Sequence, residues 1–194
     1  MHDVRSVERF GGIDGNAALT SAAAVVLTAL LLAEGVTIID MGGLRTPHML
    51  VGLVLIPPIL VKLGSTGYRF ARYYTRAPEY VSKGPPVIWL RLLAPLLVVA
   101  TIAIFVSGIV LLAVGHKSDT VLELHKISFI VWGVVFGVHF LAHVPAMARS
   151  VLHDGRLAGA GLRLALVAGS VVAGVALALT LLHPITGWHG GHHD

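Results

Sequence analysis

The chain of 194 residues contains no cysteine. That absence excludes a disulfide framework, a thiolate-held iron–sulfur cluster and the CxxCH attachment of a c-type haem. Charge is also scarce: Asp, Glu, Lys and Arg supply 12% of the residues against 56% hydrophobic ones, and the mean hydropathy is +0.84. A soluble domain carries about twice that share of charge. No Walker A or GxGxxG segment occurs, and the longest polar connection, about 30 residues, is too short for a soluble catalytic domain. The chemistry must lie within apolar segments.

Those segments are what the chain has in abundance. Crossing a hydrocarbon core of roughly 30 Å takes about 20 apolar residues. Five runs qualify, at about 17–39, 48–64, 92–115, 121–147 and 160–182. The expected fold is therefore all-α, a polytopic membrane helical bundle of five transmembrane helices in a single membrane domain. Pro57 and Pro58 should kink the second and shortest span, which then extends past Lys62 to reach the interface. The start, MHDVRSVERFGGIDGN, mixes acids with its arginines and shows no cleavage pattern, so it is not read as a signal peptide.

Orientation follows from the positive charges between spans. Lys62, Arg69, Arg72, Arg76, Lys83 and Arg91 follow span two, and Arg149, Arg156 and Arg163 follow span four. The opposite connections hold only Arg45, Lys117 and Lys126, while Arg5 and Arg9 precede span one. The N-terminus is expected in the cytoplasm and the C-terminus outside the cell membrane. The net charge of +4 then reflects cytoplasmic residues facing anionic lipid, and no nucleic-acid partner is called for. In GYRFARYYTRAPEYVSKGPP, Tyr68, Tyr73 and Tyr74 sit among arginines, the pattern of an amphipathic extension anchored at headgroup level.

Within span four, LHKISFIVWGVVFGVHFLAHV places His125, His139 and His143 in one stripe. His143 follows His125 by five helical turns, and His139 lies about 40° off that line. His125 is near the outer end, with His139 and His143 roughly 21 and 27 Å deeper. A histidine near a helix end is by default an interfacial residue, but span two changes the balance: RTPHMLVG puts His48 at the same outer depth as His125. Two neutral imidazoles at one depth on neighbouring helices suit the two axial positions of a haem iron. Gly52, one turn below His48, and Gly133 would leave room for a porphyrin edge, and Arg45, Lys126 and Lys117 are at hand for propionates. Ordinary solvated charge is the simpler reading of Lys117.

The H-x3-G pattern of His48 and Gly52, with His125 and His139 fourteen residues apart on span four, resembles the prokaryotic cytochrome b561 family and the related membrane cytochrome b subunits of hydrogenases and formate dehydrogenases. The resemblance covers residues 17–147 and leaves span five aside. It implies a four-helix haem-binding core with b-type haem, moving electrons between the quinone pool and an extracytoplasmic or membrane redox protein. Carried over, His48 and His125 match the outer haem pair and His139 matches the span-four ligand of an inner haem. The family's histidine near the start of span one has no counterpart, because the chain reads GNAALTSAA there. One haem b is thus implied, and a second requires His2, His143 or an unusual ligand as the partner of His139. His143 has an alternative role as a hydrogen-bond partner of a cofactor or quinone. Lys62 sits at the depth of His139, where a snorkelling interface lysine is the ordinary reading.

Glu34 is the acidic residue well inside an apolar run. Intramembrane carboxylates are functional candidates, so Glu34 is either a proton acceptor for a quinol or an ion-pair partner of Arg45, which Asp40 could also serve. Gly169, Ser170, Ala173 and Gly174 form small-xxx-small pairs suited to close helix packing. The tail HPITGWHGGHHD, a mobile His-rich segment over 183–194, could bind metal weakly. It motivates a competing class, a transition-metal transporter or binding protein passing copper or zinc along intramembrane histidines; the lack of Cys and scarcity of Met argue against copper(I). A third class is a small assembly subunit whose histidines merely pack. The reading adopted is an electron-transfer subunit of an oxidoreductase rather than a stand-alone enzyme.

Overall fold

The computed structural model describes residues 12–82, 84, 88–114, 118–154 and 157–181. His2, Arg5, Arg9, Lys83, Lys117, Arg156 and the histidines of the tail lie outside the described residues. The described chain is all-α, with α1 (Gly12–Ile39), α2 (Arg45–Tyr74), the short α3 (Pro78–Ser82), α4 (Ile88–Val114), α5 (Asp119–Asp154) and α6 (Ala160–Thr180). All but α3 are long and apolar enough to cross a membrane. The protein is a multi-pass membrane protein, and its exposed Leu92, Val99, Leu141, Leu164 and Val172 form a surface suited to lipid.

Two helices outrun their apolar segments. α2 continues from the expected end near residue 64 to Tyr74, and α5 runs past Pro145 to Asp154. Hydropathy marks only the part of a helix that lipid touches, whereas Arg, Tyr and Ala continue helical backbone beyond it. A proline removes one backbone donor, and packed neighbours can make that tolerable. α2 ends in a Schellman turn: Arg76 N–H donates to Tyr73 O at 3.1 Å and Ala77 N–H to Arg72 O at 3.0 Å, with Arg76 at φ 58°. Pro78 then opens α3.

The chain divides into two compact units. In the first, spanning Met1–Gly84 and Pro145–Thr180, α1, α2 and α6 pack together. α1 buries the small side chains Ala18 and Ala23 with Leu27. α1 and α2 are antiparallel: Glu34 meets His48 near one end, and near the other the Thr20 and Ser65 hydroxyl oxygens lie 2.9 Å apart while Asn16 Nδ2 donates to Ser65 O at 3.1 Å. α6 buries Val167, Ser170, Gly174 and Ala178, one face at spacings of three and four. A Cβ on Gly174 would collide with the Val54 carbonyl and lie 2.9 Å from Val54 Cα. Pro58 has no N–H to give that carbonyl, so α6 closes on α2 where the prolines have opened its ladder. Of the expected small-residue pairs, Ser170 and Gly174 pack, whereas Gly169 and Ala173 are exposed.

In the second unit, Pro85–Val144 and Leu181–Asp194, α4 and α5 are antiparallel partners joined through side chains. Trp132 Nε1 donates to Thr101 Oγ1 at 3.0 Å. Trp132, Phe136 and Phe140 then stack along α5, with ring centroids 4.6 and 5.4 Å apart.

Candidate functional site

In the first unit the candidate residues gather where α1 turns into α2. Asp40 shapes that turn: its Oδ1 accepts Gly43 N–H at 3.1 Å, and its carbonyl accepts Leu44 N–H at 2.8 Å. The tight reversal sets His48 in the first turns of α2 beside the last two turns of α1. His48 Nδ1 lies 3.0 Å from Glu34 Oε1 and 3.1 Å from Thr37 Oγ1. The side chains of His48 and Glu34 are only 20% and 14% exposed. Thr37 is buried and its hydroxyl donates its proton to Glu34 O at 2.6 Å.

A hydroxyl has one proton, so with that of Thr37 on the main chain its oxygen can only accept from His48, and an ionised Glu34 accepts too. In that arrangement His48 donates from Nδ1, and Nε2 is the nitrogen left to face a ligand. The Glu34 carboxylate lies against His48 Nδ1, and Asp40 Oδ1 accepts from Gly43 N–H. A Cβ on Gly52 would lie 3.6 Å from Glu34 Oε1, so this glycine faces the same carboxylate.

The second unit repeats the arrangement around His125. Ser107 Oγ lies 2.9 Å from His125 Nδ1, and the serine donates its own proton to Ile104 O at 3.0 Å. Ser107 is 3% exposed. With the serine proton on Ile104 O, His125 donates from Nδ1 and its lone pair is on Nε2. Gly108 makes room for the ring, since a Cβ there would stand 3.2 Å from His125 Cε1. Gly133 has open space within 4 Å of its position.

His139 and His143 stack on successive turns of α5, with centroids 4.3 Å apart and planes at 20°, and His143 Nδ1 donates to His139 O at 2.8 Å. Lys126 is exposed. Lys62 does not snorkel towards an interface; its ammonium crosses to α1 and donates to Thr20 O at 3.2 Å. Among the described residues, no three His, Cys, Asp or Glu side chains converge as a metal cage. Thr37, Ser107 and Gly108 are the participants that reading the sequence missed. Thr37 had a signal, one turn after Glu34; Ser107 and Gly108 stood out only as two small residues in an apolar run. Compared with known proteins, the chain matches no family model, no curated protein and no solved structure.

Proposed function

We propose that the protein is a membrane b-type cytochrome in which His48 and His125 are the axial ligands of haem b. One observation carries the reading: each imidazole has Nδ1 within hydrogen-bond distance of a buried hydroxyl, and His48 also of the Glu34 carboxylate, an arrangement in which Nδ1–H donates and Nε2 is the nitrogen that would coordinate. Haem-ligating histidines need this outer hydrogen bond to fix ring angle and tautomer.

The bound haem would supply a reversible one-electron change at iron. The chain's own residues do the rest. Thr37 and Glu34 orient His48, with the carboxylate making its ring more electron-rich; Ser107 and the cleared space at Gly108 orient His125. Apolar spans exclude water, and Arg45 and Lys126, three residues and one residue from the two histidines in sequence, would meet propionates. The resemblance to the cytochrome b561 family supports quinone as the membrane-side carrier and a redox protein outside as the partner. The lysine and arginine distribution supports a cytoplasmic N-terminus, in the cell membrane. His139 is the ligand offered to a second haem, with His143 stacked on it.

A second reading, binding or transport of a transition metal, has the stacked i, i+4 pair of His139 and His143 on its side. A reduced-minus-oxidised visible spectrum of the purified protein, with a pyridine haemochrome assay, separates the two. A low-spin b-type spectrum supports the cytochrome; a colourless protein that takes up zinc or copper stoichiometrically supports the metal reading.

A further inference from the structure

The face of α2 that buries Leu55, Pro58 and Ser65 continues beyond them as a basic one. Lys62, Arg69 and Arg72 follow at spacings of seven and three, within an arc of about 80°. α2 is 30 residues, about 45 Å at 1.5 Å per residue, so its last turns leave a hydrocarbon core of roughly 30 Å and lie among headgroups. Arg69 is in electrostatic reach of Lys62, and both arginines are in reach of the Tyr80 phenol on α3. Among the described residues, no ion pair neutralises Lys62, Arg69 or Arg72.

Two further observations aim this cluster at an anion. Among the described residues, Arg72 Nε is buried without a hydrogen-bond acceptor, a state that costs free energy and that an anionic oxygen would relieve. Tyr80 is 8% exposed, and burial, with Tyr68 beside it, pushes its phenol above the ordinary value despite the arginines, so it remains a hydroxyl donor. Glu79, the acidic neighbour on α3, is exposed.

We infer that Arg69, Arg72 and the Tyr80 hydroxyl hold the phosphate of an anionic lipid headgroup, with Lys62 deeper on the same face adding to the attraction. Two arginine forks and a phenol supply the donors that a phosphodiester accepts, and basic pockets at helix ends bind such headgroups. The site is independent of any haem.

The test uses the full chain in phosphatidylcholine nanodiscs carrying a few per cent of spin-labelled lipid. Phosphatidylglycerol should show a larger motionally restricted fraction than phosphatidylcholine, and the R69Q/R72Q variant should lower its relative association about 30-fold, from the usual worth of two basic residues at a membrane surface. The excess should also shrink with added salt. R149Q, which removes a charge elsewhere, should leave the preference within about two-fold. Equal restriction of the two lipids by the wild-type chain, or an equal loss in R149Q and R69Q, overturns the site. Retention of inorganic phosphate without any phosphatidylglycerol preference overturns the lipid assignment in favour of a soluble phosphate.

Discussion

At the scale of residues, the decisive groups are two hydroxyls that no apolar-run analysis singles out. Ser107 and Thr37 each have a carbonyl one turn back within hydrogen-bond distance and set an oxygen against Nδ1 of His125 and His48. Replacing Ser107 with Ala removes the acceptor from His125, and haem affinity should fall about 10-fold or more while the spectrum stays low-spin. Titration of the apo-protein with haem measures this, and an unchanged affinity would show that the hydrogen bond orients nothing. Glu34→Gln keeps an acceptor for His48 but removes the charge. The haem spectrum should persist, and reduction by a quinol analogue in membranes should slow; unchanged kinetics would remove Glu34 from the proton path. The sequence made His48, His125 and Glu34 visible because a polar atom in an apolar run is expensive and so stands out. It concealed Ser107 and Gly108, since which residues of α4 face His125 depends on how the two helices rotate, and small residues are common in every span.

At the scale of elements, the apolar runs located all five spanning helices, because length and hydropathy are set by lipid thickness. The helices α2 and α5 themselves run on beyond those apolar runs, since helical hydrogen bonding does not stop at the lipid boundary. The runs also left open which small residues of α6 pack. Gly174 does, against a carbonyl that Pro58 cannot satisfy; Gly169 has nothing within 4 Å. Gly174→Ala should therefore destabilise the protein by about 1–3 kcal/mol through overpacking. Gly169→Ala should change stability by less than about 0.5 kcal/mol. Thermal unfolding in detergent compares the two, and equal effects would contradict the assigned contact. The amphipathic extension read from residue 67 is helical as far as Tyr74, then reverses through Arg76 into α3.

At the scale of the whole molecule, the account is of a five-span protein whose polar groups are concentrated where histidines sit or where an end of α2 meets headgroups. Haem stoichiometry follows from the inventory of imidazoles. With no histidine near the start of α1, where Asn16 and Thr20 instead engage Ser65, His139→Ala should leave at least half of the bound haem. A haem-to-protein ratio near two that falls to near one would establish an inner haem on His139; a ratio near one that does not move would make His139 a packing residue. The most direct test of the central claim is the reduced-minus-oxidised spectrum and haem content of purified wild-type, His48→Ala and His125→Ala proteins. The account predicts a low-spin b-type spectrum in the wild type and its loss or severe reduction in both variants. Wild-type spectrum and haem content retained in both would contradict it.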